Sequence, residues 1–307
     1  MKYLFVVNPT AGGTDRTEEI RTSAQKLFAG RPGDEFEIYV TKFKGDDASE
    51  VRRRAQTGEE LRIIACGGDG TFNGCCNGAA GYYNVSVCPY PAGTGNDFCR
   101  MFGDEKELFL DLEAIADGTP HKIDLINVNG TYCVCIASLG FDARVGTHVH
   151  DYTHLPLCSG TGGYVMSLLH ELTQGLSTPM KISCGDFIYN GDVTLCCICN
   201  GRHYGGGFNP TVTAMPDDGE LEIIIVKKVN LLQLAVNIGK YSTGRASEIG
   251  DLAVCLKGSS ITVEADGEII VNTDGEMLQA KKIEMKLEPG RVNLTVPRGI
   301  TFFEKRQ

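Results

Sequence analysis

Three short strings in this chain have the residue types that handle phosphate: Asn8-Pro9-Thr10-Ala11-Gly12-Gly13, Gly67-Gly68-Asp69-Gly70-Thr71 and Gly93-Thr94-Gly95-Asn96-Asp97. Glycine lets a backbone come close to a phosphate chain, and a helix that opens directly after such a turn offers unbonded N–H groups to an anion. A carboxylate inside such a turn is at first sight misplaced, because Asp69 repels a polyphosphate. It becomes useful with Mg²⁺, which takes oxygen ligands and is usually held by one or two carboxylates together with phosphates. Asp97 is the natural second carboxylate, and the Thr71 and Thr94 hydroxyls are natural phosphate donors. The pattern therefore points to phosphoryl transfer, which needs positioning and charge neutralisation more than covalent chemistry by the protein. No G-x-x-x-x-G-K-[ST] is present, so this is not a P-loop. Taken alone, Asn8–Gly13 reads equally well as a plain strand–helix connection.

The elements that must position these turns follow from hydrophobic pattern. Strands are expected at Lys2–Val7, Phe36–Val40, Arg62–Cys66 and Val85–Tyr90. Helices are expected at Arg16–Ala29, Asp47–Gln56 and Thr71–Ala79, with a helical stretch from Asn96 to Phe102. Alternation of this kind implies a parallel sheet covered by helices, and in such a sheet all three turns leave the carboxyl ends of their strands. After Asp117-Gly118-Thr119-Pro120 the pattern changes to short apolar runs separated by turns: Cys133–Ala137, Lys181–Cys184, Val193–Cys199, Leu221–Val226, Ile261–Glu264, Ile269–Val271, Ile283–Leu287 and Val292–Val296. These read as an antiparallel sandwich or barrel, interrupted by helices at Tyr164–Thr173 and Leu231–Asn237. The expected organisation is a nucleotide-binding domain over residues 1–120, to which 300–307 return, and a β-rich domain over 121–299.

Two strings, Gly67-Gly68-Asp69-Gly70-Thr71-x-Asn73 and Pro91-x-Gly93-Thr94-x-Asn96-Asp97-Phe98, closely resemble the catalytic domain of diacylglycerol and sphingosine lipid kinases, in particular the soluble bacterial branch. The first string is shared with NAD kinases and loosely with phosphofructokinases; the second discriminates. Gly140-Phe141-Asp142-Ala143, Asn200-Gly201, Asp218-Gly219-x-Leu221 and Asp274-Gly275-Glu276 extend the resemblance over nearly the whole chain. It implies an α/β nucleotide-binding domain of the NAD kinase/phosphofructokinase type followed by a sandwich-like domain. It implies an ATP- and Mg²⁺-dependent kinase that phosphorylates a lipid hydroxyl, with diacylglycerol and hence phosphatidic acid the leading assignment, and a place in phospholipid biosynthesis. By the same resemblance ATP lies against Asn8, Pro9, Thr10, Ala11, Gly12, Gly13, Thr41, Gly67, Gly68, Asp69, Gly70, Thr71, Asn73, Gly93, Thr94 and Asn96. Asp69 and Asp97 organise Mg²⁺ and the acceptor. A structural Mg²⁺ matches the Met215 carbonyl, the Asp218 side chain and the Glu220 carbonyl. The general base is the Glu of an Asp-Gly-Glu turn. Two such turns occur, and Val271-Asn272-Thr273-Asp274-Gly275-Glu276 fits the resembled pattern, which makes Glu276 the base and Glu268 a surface hairpin residue. Ala11 stands where the family usually has Ser, with Thr14 and Arg16 the nearest polar substitutes, and Gly95 occupies a position that varies.

Composition sets the remaining bounds. The 307 residues carry 29 Lys+Arg against 39 Asp+Glu, a net charge of −10, which disfavours a nucleic-acid partner. No apolar run reaches the length of a membrane span, and the Met1–Pro9 segment reads as a strand rather than a signal peptide. Thirteen Cys without a secretion signal suggest reduced, buried thiols in a cytoplasmic protein. Cys133-x-Cys135 and Cys196-Cys197-x-Cys199 accordingly read as packing residues, not metal ligands. The expected setting is cytoplasmic and peripheral to the membrane, with a lipid at the membrane surface as partner and a homodimer allowed. Arg52-Arg53-Arg54 reads as a solvated helix face, His148–Leu157 as a loop, and Asn200–Phe208 as a mobile glycine-dense loop near the site. Two other readings use the same turns: an NAD or polyol kinase, and a non-catalytic lipid or nucleotide sensor.

Overall fold

The computed structural model describes residues 1–145 and 175–304; the expected helix at Tyr164–Thr173 and the loop at His148–Leu157 lie outside them. By its contacts the chain divides into two units, one of 1–125, 205–207 and 288–307, the other of 126–204 and 208–287. The sequence boundary at 120 thus falls within five residues of the first division. The chain returns to the first unit from residue 288 rather than 300, because the last strand pairs there.

The first unit is a parallel sheet. Its strands are β1 (Lys2–Val7), β2 (Glu35–Val40), β3 (Leu61–Gly67) and β4 (Val85–Pro91), in the order β2-β1-β3-β4, with Asn293 and Leu294 alongside β4. β1 reads as a continuous apolar run because it is buried on both faces, with Leu4, Phe5 and Val6 at 1% exposure or less. The register sets Val7 opposite both Val40 and Cys66, Cys66 opposite Tyr90, and Gly67 opposite Pro91. The connections after all four strands therefore begin in one row.

Helix α1 (Thr17–Ala29) opens where the Asp15 carboxylate accepts the Thr17 N–H at 2.8 Å, and it buries Ile20, Ala24 and Phe28. Phe28 stacks on Phe36 with ring centroids 5.0 Å apart and meets Phe5 edge-on. Helix α2 (Asp46–Ala55) carries acids in its first turn and Arg52–Arg54 in its last, the arrangement the helix dipole favours. Arg53 and Arg54 both grip Glu50, and Arg52 donates to the Asn77 carbonyl at 3.1 Å. The triple arginine is a set of paired surface side chains. Helix α3 (Asp69–Ala79) buries Phe72, Cys75 and Cys76 against the sheet. The helical stretch expected over Asn96–Phe102 is a single turn, α4 (Asp97–Arg100), and a second short helix, α5 (Leu112–Ala116), follows.

The second unit is antiparallel. Strands β7 (Ile136–Gly140), β8 (Thr178–Cys184), β9 (Phe187–Cys199), β10 (Leu221–Lys227), β11 (Ala253–Gly258), β12 (Ser260–Thr273) and β13 (Glu276–Val296) pair as β11-β10-β9-β7-β12-β13, with β8 bridging β9 and β12. The chain enters this unit on β5 (Thr119–Val128), whose end pairs with β6 (Thr131–Cys133), and helix α6 (Leu231–Tyr241) follows β10. Ile198, Ile223, Ile225, Val263, Val271 and Ile283 are at the centre of its core. Every described cysteine is a free thiol and all but Cys255 are buried, which agrees with the packing role. Burial pushes the Cys66, Cys75 and Cys196 thiols up, so they are unreactive.

Two expectations are corrected in this unit. The run Cys133–Ala137 is not one strand, because its middle is bonded elsewhere. The Asp274 carboxylate accepts the N–H groups of Val134 at 2.6 Å, Cys135 at 3.0 Å and Ile136 at 3.1 Å. Opposite them, Asn200 donates its side-chain amide to the Val134 carbonyl at 2.7 Å and its backbone N–H to the Cys135 carbonyl at 2.9 Å. Glu268 is not in a hairpin turn: β12 runs straight through it, and Asp266–Glu268 form an exposed bulge where the register with β13 jumps between Glu264 and Ile269. The true turn is Asp274-Gly275, whose two positive φ angles, 52° and 93°, make it the two-residue connection that suits twisted strands.

A buried polar chain ties α6 to β9. The Tyr241 hydroxyl lies 2.7 Å from the Cys197 sulfur and 2.9 Å from the Tyr204 hydroxyl, which donates to Asp142 at 2.8 Å. Desolvation pushes the Asp142 carboxyl up to about 6 from 3.8, against the pull of Tyr204. The folded state therefore keeps a proton that the unfolded chain releases between those values, and stability falls as pH rises through that window. Asp142→Asn, which retains an acceptor for Tyr204 but cannot ionise, is expected to melt above the parent at pH 8 and level with it near pH 4. Parallel melts across that range test the sign. Asp274→Ala removes the acceptor for three N–H groups and should cost about 3 kcal/mol in denaturant unfolding.

Candidate active site

The site is built in the first unit from the three glycine turns, which the register already starts in one row. The Asn8 side chain donates to the Thr71 hydroxyl at 3.3 Å, joining the first turn to the second. It also accepts from the Thr10 N–H at 3.0 Å, which shapes the first turn itself. The N–H groups of Ala92 and Gly93 donate to the Gly67 carbonyl at 2.8 and 3.2 Å, joining the second turn to the third. Thr41, at the end of β2, donates its N–H to the Val7 carbonyl at 2.9 Å, which places it beside the first turn.

Asp69 is the first residue of α3, yet its carboxylate serves another helix. It accepts the Asp97 N–H at 2.5 Å and the Phe98 N–H at 3.3 Å, so it caps α4 across the gap. Burial pushes the Asp69 carboxyl up, and these backbone donors pull it part of the way back. Asp97 is itself buried at 7% exposure; one carboxylate oxygen accepts the Gly206 N–H at 2.9 Å and the other lies 3.4 Å from Arg100 Nε. Arg100 also donates to the Gly95 carbonyl at 2.7 Å, closing the turn beneath the acid it pairs with.

The two carboxylates face one point. A Cβ built on Gly95 would lie 2.8 Å from one Asp69 oxygen and 3.5 Å from one Asp97 oxygen. Any side chain at position 95 would therefore crowd the two carboxylates. Above the pair, Gly68 gives α3 no side-chain cap, so the first N–H groups of this 11-residue helix are left for another acceptor. Thr10, Gly12, Gly13, Gly70 and Thr94 are exposed around that opening, with Pro9, Ala11 and Gly68 half-buried among them.

Other expected residues hold the turns in shape. Asn96 has a left-handed backbone (φ 53°), donates to the Gly93 carbonyl at 2.7 Å and accepts the Gly93 N–H at 3.2 Å. Asn73 is buried at 3% exposure on the inner face of α3, where its carbonyl oxygens accept from Asn77. Sequence reasoning passed over Gly95, whose missing side chain makes room for the carboxylates. It also did not see that the glycine-dense stretch supplies the Gly206 N–H to Asp97. The Gly-x-Gly spacing around Thr94 and the run Gly205-Gly206-Gly207 were the available signals.

In the second unit Glu276 is the first residue of β13, half-buried and opposite Thr273, directly after the turn that Asp274 anchors. Asp218 accepts the Glu220 N–H at 3.0 Å, and the Glu220 side chain pairs with Lys257 at 3.0 Å. Arg202 reaches the Met215 sulfur at 3.1 Å. Among the described residues no three His, Cys, Asp or Glu side chains gather in one place.

Known proteins resemble both halves of the chain. Residues 2–128 match the diacylglycerol kinase catalytic domain, and residues 135–296 match the YegS C-terminal NAD kinase beta sandwich-like domain. A Stenotrophomonas maltophilia (strain K279a) protein named "Probable lipid kinase YegS-like" is 30% identical over 313 residues, covering 97% of each chain. A Staphylococcus epidermidis protein named "Diacylglycerol kinase" is 28% identical, covering 89% of this chain and 84% of its own. A crystal structure of a diacylglycerol kinase from Bacillus anthracis str. Sterne shares the fold, with a TM-score of 0.70 at 22% identity over 97% of this chain and 98% of its own. The α/β unit with its three glycine turns and the antiparallel unit behind the Asp274 hairpin are therefore the two halves of one family: the chain belongs to the lipid kinases that join a diacylglycerol kinase catalytic domain to a YegS-type sandwich domain.

Proposed function

We propose that this protein is an ATP- and Mg²⁺-dependent lipid kinase that transfers the γ-phosphate of ATP to a lipid hydroxyl, with diacylglycerol as acceptor and phosphatidic acid as product. The observation that carries this reading is the pair of carboxylates, half-buried Asp69 and buried Asp97, brought together where three glycine turns meet. The turns and the start of α3 receive the phosphates through backbone N–H groups, with the Thr71 and Thr94 hydroxyls as further donors. Asp69 and Asp97 would hold Mg²⁺, which when bound would neutralise charge on the phosphates. The acceptor oxygen forms a bond to the γ-phosphorus, the bond from that phosphorus to the β-bridging oxygen breaks, and ADP leaves. The acceptor's proton passes to a carboxylate, and the family resemblance gives that role to Glu276. The rigid Asp274 turn fixes the backbone from which Glu276 projects. The Met215 carbonyl, the Asp218 side chain and the Glu220 carbonyl, which the same resemblance assigns to a structural ion, are all oxygen donors, the kind Mg²⁺ prefers. The acceptor sets the place of action, a membrane surface approached from the cytoplasm.

Incubating a total lipid extract with the protein, ATP and Mg²⁺, then reading added phosphate by mass spectrometry, tests the activity. New phosphatidic acid is expected; phosphate appearing on NAD and on no lipid overturns the reading. Asp97→Asn should lower kcat by roughly 10²–10³-fold without lowering the melting temperature. Glu276→Gln should do the same while Glu268→Gln, on the exposed bulge, leaves turnover unchanged; the reverse pattern would move the base to Glu268. Gly95→Ala keeps an ordinary backbone but drives a methyl into the Asp69 carboxylate, and should lower kcat by up to about 10²-fold with little change in KM for ATP.

A further inference from the structure

Helix α6 is built inside out. Leu232 is 74% exposed, Val236 66%, Leu231 57% and Ile238 37%. Leu232, Ala235, Val236 and Gly239 follow the i, i+3, i+4, i+7 spacing of one helix face, and all four are exposed. The face turned to the protein carries Gln233, Leu234, Asn237, Ile238 and Tyr241, over a small cavity walled by Leu195, Val226, Val229 and Ile249. A surface helix normally does the opposite, burying its apolar stripe and wetting its amides. At the far end of the helix Val212, 51% exposed, packs against Gly244 and extends the apolar surface.

The charge around this face runs against the rest of the chain. Residues 223–247 include Lys227, Lys228, Lys240 and Arg245 and no acid, in a protein whose net charge is −10. Lys228 pairs with Asp192 at 2.7 Å and Arg245 with Glu248 at 3.5 Å, and the Lys240 ammonium donates to the Glu248 carbonyl at 2.9 Å. Lys227 and Lys240 are the bases of this stretch that those two pairs do not offset, with exposed Asp251 the next acid. A helix of 11 residues is far too short to span a bilayer but suffices to lie in its interface. An apolar face flanked by bases is the composition that binds anionic lipid surfaces.

We infer that α6 is the membrane-docking element of this protein, lying in the interfacial plane with Leu231, Leu232 and Val236 among the acyl chains and Lys227 and Lys240 at anionic headgroups. In naming a bilayer as occupant, this rests on the reading of the acceptor as a membrane lipid.

The chain has no tryptophan, so Leu232→Trp in the full chain reports on this face alone. Its emission should shift to the blue on adding vesicles of phosphatidylcholine with phosphatidylglycerol, and shift less with phosphatidylcholine alone. In sedimentation with the mixed vesicles, Leu232→Asp/Val236→Asp should bind at least tenfold more weakly than the parent. Lys227→Glu/Lys240→Glu should lose most of the salt dependence of binding. Both substitutions lie on exposed or half-exposed positions, and unchanged melting temperatures verify folding. An unshifted Trp, or parental vesicle binding by the double Asp variant, overturns the inference. So does light scattering that finds a parental dimer which the double Asp variant splits while still binding vesicles, because a second copy then covers the face. The kinase reading is tested apart from this by transfer to a short-chain diacylglycerol dispersed in detergent. The double Asp variant should match the parent there. Failure of the parent on every lipid, together with loss of vesicle binding in the variant, would remove the reading and leave the docking helix standing.

Discussion

The first unit depends on one hydrogen-bonded carboxylate. Asp69 accepts the N–H groups of Asp97 and Phe98, and in doing so ties the turn after β3 to the turn after β4. The same contact puts Asp97 beside Asp69, although like charges at close range repel. Burial pushes the Asp69 carboxyl up, and the backbone donors around it pull the other way. Arg100 holds the turn from below and Gly206 bonds Asp97 from the side. Remove the side chain of Asp69, and the cap of α4 and the paired oxygens go together, leaving the Ala92 and Gly93 bonds to the Gly67 carbonyl to join the two turns.

The sequence foretold most of the first unit because local and global signals agree there. Continuous apolar runs made buried strands, and glycine turns after them made helix starts; β1 matches its expected limits and the other strands differ by a residue or two. The second unit was less legible because long-range partners overrule local pattern. Val134 and Cys135 look like strand, yet their backbone groups are taken by Asp274 and Asn200, residues distant in sequence. Asp266-Gly267-Glu268 looks like a turn, but β12 carries it as a bulge between two stretches paired with β13. In the site, Asp69 and Asp97 were visible from their strings. Gly95 was not, since a glycine that makes room for another side chain carries no signature until that side chain is placed.

Four buried or half-buried acids show that residue type alone does not assign a role. Asp274 is surrounded by three N–H donors from one strap of chain and serves as an anchor. Asp142 sits at the end of a tyrosine chain, where burial pushes its carboxyl up. Asp69 and Asp97 each accept backbone N–H groups and each bring an oxygen to 3.5 Å or less from where a Gly95 side chain would begin. The four acids differ in what surrounds their oxygens, not in residue type.

The exposed apolar face of α6 raises a question of stability, since helices in proteins usually owe their order to burying that face. This one is held at its ends instead. Asn230 and Gln233 form a reciprocal capping box at the start, each side chain accepting the other's N–H at 2.9 Å. At the end, the Tyr241 hydroxyl is fixed by Cys197 and Tyr204. Asn237 donates to the Gln233 carbonyl at 2.9 Å, so the inward amides reinforce the helix instead of seeking water. A helix ordered by caps and a buried tyrosine can present leucine and valine outward without unfolding. It also meets an apolar phase already formed, so association does not have to supply the entropy of ordering it.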